Sequence, residues 1–423
     1  MERIVINGGK PLYGDVEVSG MKNAALPIIF ACILTKDKCR IENLPLISDV
    51  TMALEILESM NAKVDYIDET TVDIDTTDLI CGTAPCELVS RMRASTYLLG
   101  AELGRFGRAR IGLPGGCNFG DRPIDQHIKG FKSLGAQVTV ADDEIVATTE
   151  NGTHSGAVYF DIISVGATIN IMMAAVLADG LTIIDNAACE PHIVDLANFL
   201  NTCGANVTGA GTTSIKIRGV EKLHGCTYEI IPDMIEAGTY MTAVAATGGK
   251  ININNIIPKH LETISAKLRD MGVEVEEFDD SLTVTAAVRL KPTQVQTKPY
   301  PGFPTDMQPQ FTALMCMAFG ESIMTENVFL HRYNYVNELK KMGADIDMAD
   351  DRTAKINGRG FLHGATVKAT DLRAGAALIV AGLAAVETTV VTDIVYIKRG
   401  YQDIVSKFKA LGADIEEVWD FNS

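Results

Sequence analysis

Six segments of this chain are variants of one another: SMNAKV, SLGAQV, TCGANV, DMGVEV, KMGADI and ALGADI. With Asn61, Gly135, Gly204, Gly272, Gly343 and Gly412 as the shared marker, the spacings are 74, 69, 68, 71 and 69 residues. A second series keeps the same beat: MKNAALPII, MRASTYLLG, VGATINIMM, EAGTYMTAV, DMQPQFTAL and LRAGAALIV. A fixed period this long means one supersecondary unit used repeatedly. A single copy cannot bury its own apolar face, so the copies must pack on one another.

Each repeat reads as βαβαββ. A short strand (VEVS, VYFDI, VKATD) leads into a helix rich in Ala, Met and Leu, and a β-branched strand follows (CRIENL, LTIIDN). After a loop comes an amphipathic helix such as VNELKKMG, with Leu339 and Met342 on one face, then two strands such as AKVDYI and TVDID. The second helix stops at its marker, where a left-handed residue ends it. The first helices are apolar nearly all round, which predicts that they are buried with the sheets outside them. Three repeats per domain place a boundary near Ile230–Pro232, giving an α/β protein of two similar domains.

Composition narrows the function classes. The net charge of −17 excludes a non-specific grip on nucleic acid or on anionic lipid, so an anionic ligand must be met by locally concentrated charge. The start, MERIVINGGK, lacks the pattern of a signal peptide, and AGAALIVAGLAAV at 374–386 is too short to span a membrane. A cytoplasmic location is expected. Nine cysteines without a CxxC pair indicate neither a disulfide framework nor a zinc ribbon, and no HExxH or HxxH pattern points to a metal. No GK[ST] or GxGxxG loop is present, so no nucleotide cofactor is expected either.

Repetition makes deviations informative. The equivalent loops run from Pro45, Pro114, Ala187, Ile257, Val328 and Ile394 to the next marker over 16, 21, 17, 15, 15 and 18 residues. The longest, LPGGCNFGDRPID, has gained Gly-Gly-Cys. The bland reading of any cysteine is a small buried hydrophobe, which is expected of the other eight. Cys117 departs from it: Gly115, Gly116 and Asn118 pack poorly, and Arg122 close by favours the thiolate. Cations recur where the repeat brings them to one end of the sheets: Lys22, Arg93 and Arg373 at first-helix starts, Arg332 and Arg399 in loops. Each alone reads as a surface charge. Together with helix N-termini, in a cleft between two domains, they suit a substrate carrying several phosphates. Asp306 and Asp371 both precede helices, so each also reads as an N-cap. His127 follows the cysteine loop and could face that cleft.

Taken together, LPGGCNFGDRP, SGMKNAALP at 19–27, MRAS at 92–95, SVGAT at 164–168, FPTDMQPQF at 303–311, TDLRA at 370–374 and RGY at 399–401 closely resemble the UDP-N-acetylglucosamine 1-carboxyvinyltransferases, a family of enolpyruvyl transferases. The resemblance spans essentially the whole chain. It implies an inside-out α/β barrel pair: residues 22–231 as the N-terminal domain carrying the cysteine loop, and residues 1–21 with 232–423 as the C-terminal domain. It also implies transfer of the enolpyruvyl group of phosphoenolpyruvate to the 3′-hydroxyl of UDP-N-acetylglucosamine with release of phosphate, by addition then elimination, as the first committed step of peptidoglycan precursor synthesis. No metal or cofactor is implied.

By the same resemblance, Lys22, Arg122 and Arg399 clamp phosphoenolpyruvate, and Cys117 acts as an acid and can add covalently to C2. Asp306 takes the proton of the sugar hydroxyl, and Asp371 works in the closed site with Arg373 in support. Asn23, Arg93, Arg122, Pro123, Ile124, Asp125, Gln126, His127, Ser164, Val165 and Val328 hold the UDP-sugar. The chain departs from the pattern at Ile162 and Ile163, where some members have a lysine, and at Phe119 and Asp121 within the loop. The resemblance therefore carries no side-chain contact to the nucleotide over to position 162 or 163. 5-Enolpyruvylshikimate-3-phosphate synthase is the rival within the architecture, and the Gly-Gly-Cys loop argues against it. A UDP-sugar-binding protein without catalysis is the rival outside it, and the joint presence of Lys22, Cys117, Arg122, Asp306 and Arg399 argues against that.

Overall fold

A computed structural model of the chain describes residues 2–113, 115, 123–141 and 144–419. These sort into two compact units, one of residues 20–113, 115 and 123–231, the other of residues 2–19 and 232–419. Three helices fill the interior of the first: α1 (Lys22–Ala31), α2 (Tyr97–Phe106) and α3 (Val165–Ala175). Three fill the second: α4 (Met234–Thr247), α5 (Gln308–Cys316) and α6 (Leu372–Ala384). All 13 residues of α6 are buried, as a helix apolar on every side must be when sheets surround it. Close helix approach is bought with glycine: a Cβ on Gly100 of α2 would lie 2.3 Å from the Asn170 carbonyl oxygen of α3. The amide of Gly100 instead donates to Asn170 Oδ1 at 2.8 Å.

Three sheets surround each helix trio. Among the described residues, five of the six have four strands and one has three. The marker residues do what the sequence demanded: Asn61, Gly135, Gly204, Gly272, Gly343 and Gly412 all have positive φ, between 71° and 97°. A side chain is strained there, and asparagine is among the few that tolerate it.

Strand assignment is where the linear reading fails. The strand containing VEVS does not lead the first repeat. It forms Leu12–Glu17 and pairs in parallel with Gly249–Asn254 of the fourth. The first repeat is led instead by Thr227–Glu229, parallel to Lys38–Glu42. Among the described residues the sixth repeat supplies only Asp414–Trp419 after its second helix, and Glu2–Asn7 completes its sheet from between Thr388–Thr392 and Asp414–Trp419. The second repeat has no leading strand among the described residues, and Cys86–Val89 is a helical turn there.

One further repeated device ties the leading strands in. Asn43, Asn186, Asn255 and Asn327 follow the second strands of their repeats, and each donates its side-chain N–H to the carbonyl of the residue just past a leading strand: Ile230, Phe160, Val18 and Thr297. The distances are 2.8, 2.8, 2.8 and 3.2 Å. The second repeat, which lacks the leading strand, has Leu113 at this position. An asparagine there would have no strand carbonyl to hold.

Candidate functional site

In the second unit, Asp306 lies in a 3₁₀ turn, Thr305–Met307, ahead of α5. It does not cap that helix. The N-cap is Met307, with no side-chain cap, so the capping reading of Asp306 is corrected. Its carboxylate is gripped from two sides: Arg332 Nη2 lies 2.9 Å from Oδ1, and Arg373 donates to Oδ2 from Nη2 at 2.9 Å and Nε at 3.2 Å. Both arginine side chains are nearly fully buried, at 2% and 3% exposed, so these are charge-assisted bonds in a low dielectric rather than surface pairs. Burial alone would raise the Asp306 carboxyl, but Arg373 and Arg332 outweigh it and hold it well below the usual carboxylate range.

Asp371 does cap its helix. Oδ1 accepts from the Arg373 and Ala374 amides at 2.9 and 3.0 Å, which fixes the start of α6 and with it the backbone of Arg373. The Arg373 guanidinium sits over the Tyr401 ring at 5.6 Å. Val328 is held by Glu326, whose Oε1 accepts the Val328 amide at 2.8 Å and whose Oε2 accepts from Thr305 at 2.9 Å. That buried glutamate joins the Val328 loop to the turn bearing Asp306. Arg399 ends the 3₁₀ helix Ile394–Arg399 and is half-buried.

In the first unit, Lys22 opens α1 with Asn23 beside it, and its Nζ is 2.7 Å from Asp49 Oδ2 with both side chains buried. Asp49 was not foreseen. It sits in the first turn of Ser48–Ser59, where an acid also complements the helix dipole. Pro123 and Ile124 precede the helix Asp125–Ser133, which carries Asp125, Gln126 and His127. Gln126 bonds both Asp125 Oδ2 at 2.8 Å and the Asp161 amide at 3.0 Å. His127 is buried against the start of α3, so that a Cβ on Gly166 would lie 2.8 Å from its Nε2. Burial first, then the Arg93 charge, pull its pKa down to about 4, so the imidazole is neutral. Its Nδ1 is buried without a hydrogen-bond partner among the described residues. Ser164 caps α3, accepting from the Ala167 amide at 3.3 Å, with Val165 as the first helical residue. Ile162 and Ile163 are exposed.

The structure thus brings Arg93, His127 and the Ser164 turn together, and separately gathers Asp306, Arg332, Arg373, Asp371 and Val328. Cys117 and Arg122 lie outside the described residues. The other cysteines follow the bland expectation only in part: Cys32, Cys39, Cys189, Cys203 and Cys316 are buried, Cys81 and Cys226 are half-buried, and Cys86 is exposed. Cys86 opens the helical turn Cys86–Val89 and lies beside Gly112, where an added Cβ would be 3.2 Å from its Sγ.

Residues 6–408 match the family described as EPSP synthase (3-phosphoshikimate 1-carboxyvinyltransferase). This chain belongs to the enolpyruvyl transferase family. Among enolpyruvyl transferases, it is 53% identical to UDP-N-acetylglucosamine 1-carboxyvinyltransferase 3 of Caldanaerobacter subterraneus subsp. tengcongensis, covering 99% of this chain and 100% of that one. It is 51% identical to UDP-N-acetylglucosamine 1-carboxyvinyltransferase of Clostridium botulinum, covering 98% and 99%. Among solved structures, the enolpyruvyl transferase NikO from Streptomyces tendae matches with a TM-score of 0.88 at 27% identity over 99% of both chains. EPSP synthase from Acinetobacter baumannii matches with a TM-score of 0.77 at 18% identity over 99% of this chain and 100% of that one, a likeness of fold alone. No helix among the described residues is long and apolar enough to cross a membrane.

Proposed function

We propose that this enolpyruvyl transferase moves the enolpyruvyl group of phosphoenolpyruvate to the 3′-hydroxyl of UDP-N-acetylglucosamine, the entry to peptidoglycan precursors, with cell-wall growth and division depending on it in a cytoplasmic setting. The observation that carries this reading is 53% identity, over 420 residues, to a relative of that name. A proton adds to C3 of phosphoenolpyruvate, the sugar oxygen bonds to C2, and the C2–O bond to phosphate then breaks as C3 gives its proton back.

Lys22, Arg122 and Arg399 are assigned to the anionic donor, where fixed cations stabilise charge as it develops. Asn23, Arg93, the run Pro123 to His127, the Ser164–Val165 turn and Val328 are assigned to the UDP-sugar. The Nδ1 of the neutral, buried His127 supports this, because it has no hydrogen-bond partner among the described residues and a buried polar atom of that kind can take one from a ligand. Cys117 is assigned the acid role and reversible addition to C2.

Asp306 is assigned as base, and its surroundings add a condition. A carboxylate held by Arg332 and Arg373 is a weak base, so an anionic substrate that draws a guanidinium away raises its basicity at the moment it is needed. Phosphate release tests the reading. Release is expected with phosphoenolpyruvate plus UDP-N-acetylglucosamine and not with shikimate 3-phosphate as acceptor. Release only with the shikimate acceptor, or with neither, would overturn it.

A further inference from the structure

Three cysteines from distant segments converge in the first unit. Cys39 lies in the strand Lys38–Glu42, Cys203 ends the helix Pro191–Thr202, and Cys226 precedes the strand Thr227–Glu229. Their sulfur atoms all lie within 4.8 Å of one another, and Cys203 Sγ is 3.4 Å from Cys226 Sγ. The repeats show what this place normally holds. Cys203 precedes its marker glycine, where the other five repeats put Met60, Leu134, Met271, Met342 and Leu411, all buried.

The sheet registers extend the comparison. Thr227 pairs with Arg40, Ala157 with Ile183, and Thr366 with Val390. One step back along both strands, Cys226 lies opposite Cys39, Gly156 opposite Thr182, and Ala365 opposite Thr389. The amides of His224, His154 and His363 bond back to the carbonyls of Cys203, Leu134 and Met342, at 3.0, 3.0 and 2.8 Å. Where the fold fills this place with leucine, glycine and threonine, or with methionine, alanine and threonine, here it has three thiols and no large side chain.

We propose that Cys39, Cys203 and Cys226 form a binding site for a divalent zinc ion, separate from the transferase machinery. Three thiolates at about 2.3 Å from a zinc ion stand roughly 3.8–4.0 Å apart, which sulfurs lying within 4.8 Å of one another reach with shifts of at most about 1 Å. Soft thiolates select zinc and monovalent copper over harder cations. Zinc leaves one net negative charge in this largely buried place where monovalent copper leaves two, so desolvation favours zinc. Binding breaks three S–H bonds and releases three protons to solvent, so affinity rises with pH. Cys226 is only half-buried, which gives the ion an entry and room for a fourth, non-protein ligand.

The repeats also supply the test. The full chain, kept reduced, is titrated with zinc chloride against a chromophoric chelator, alongside the triple variant Cys39→Thr, Cys203→Leu, Cys226→Gly, which copies Thr182, Leu134 and Gly156 at the equivalent place. The wild type is expected to take up one equivalent that the variant does not, with affinity at least 100-fold weaker in the variant and transferase activity of the metal-free variant retained. X-ray absorption of the zinc-loaded wild type should show three sulfur neighbours. Melting should rise with zinc in the wild type only. Equal uptake by both proteins, or a shell without three sulfurs, would overturn the site. Because the variant leaves Cys117 and the proposed transferase residues intact, failure here is distinguishable from failure of the transferase reading, which phosphate release reports.

Discussion

At the scale of the residue, the surroundings of Asp306 and His127 set their charge states, one ionised and one neutral. Asp306→Asn is expected to cut turnover by about 10²-fold or more if the carboxylate is the base, with little change in binding of the UDP-sugar. The change also leaves Arg332 and Arg373 without their anion. Because the folded carboxyl is depressed, its stabilisation is fully present above the unfolded value near 3.9 and is lost as pH falls through the folded one. The stability gap between wild type and Asp306→Asn should therefore be constant above about pH 5 and close in acid, read by urea unfolding across pH.

His127 gives the second residue-scale prediction. Its folded pKa of about 4 lies below the ordinary histidine value of 6.5, so between those values the unfolded chain binds a proton that the folded one refuses. Stability is then full above 6.5 and declines as pH falls towards 4, by about 3 kcal/mol from this group. His127→Gln should remove that part of the slope, and an imidazole titrating near 6.5 in NMR spectra of the wild type would contradict it.

A third concerns the cysteine loop. Brief exposure to a phosphonate epoxide that mimics phosphoenolpyruvate should label Cys117 alone, read by peptide mass mapping, and excess phosphoenolpyruvate should block it. A neutral alkylating agent should instead reach the exposed Cys86 as well. Phosphonate label on Cys86 would remove the chemistry from the loop.

At the scale of the element, the repeated asparagine joins two demands that can be separated. Asn186 has a φ of 58° and donates to Phe160. Asn186→Gly keeps the backbone and loses the hydrogen bond, while Asn186→Ala loses the bond and strains the backbone. The alanine variant should be less stable than the glycine variant by about 1 kcal/mol, measured by thermal unfolding. Equal melting of the two would mean that the left-handed position carries no strain. This device was readable in the sequence, since IENLP, IIDNA and INNII align by eye. What the alignment could not show was the carbonyl each asparagine reaches, because that belongs to a strand from another part of the chain.

At the scale of the whole molecule, residues 2–17 supply an interior strand to one sheet and the leading strand to another within the unit of residues 232–419. A chain of residues 232–423 alone should fail to fold, since removing Glu2–Asn7 parts Thr388–Thr392 from Asp414–Trp419. Adding a peptide of residues 2–19 should restore cooperative melting by circular dichroism. A stable fragment without the peptide would show that the sheet can close on itself.

The sequence by itself determined the period, the six buried helices and the left-handed stops, because each is written in local composition: apolar residues on every helix face, and glycine or asparagine where φ must be positive. It also singled out the cysteine loop and the cations, by departure from its own repeat. Tertiary structure alone decided which strand enters which sheet, for a six-residue strand such as Leu12–Glu17, which buries Leu12 and Val16, carries no address. It alone showed Asp306 held by arginines 26 and 67 residues away, where local pattern allowed a helix cap. It alone gathered Cys39, Cys203 and Cys226, whose spacing along the chain matches no metal motif. Hydrogen bonds, ion pairs and thiol clusters of this kind are set by distance in space, and that becomes short only once the non-local strand pairings have formed.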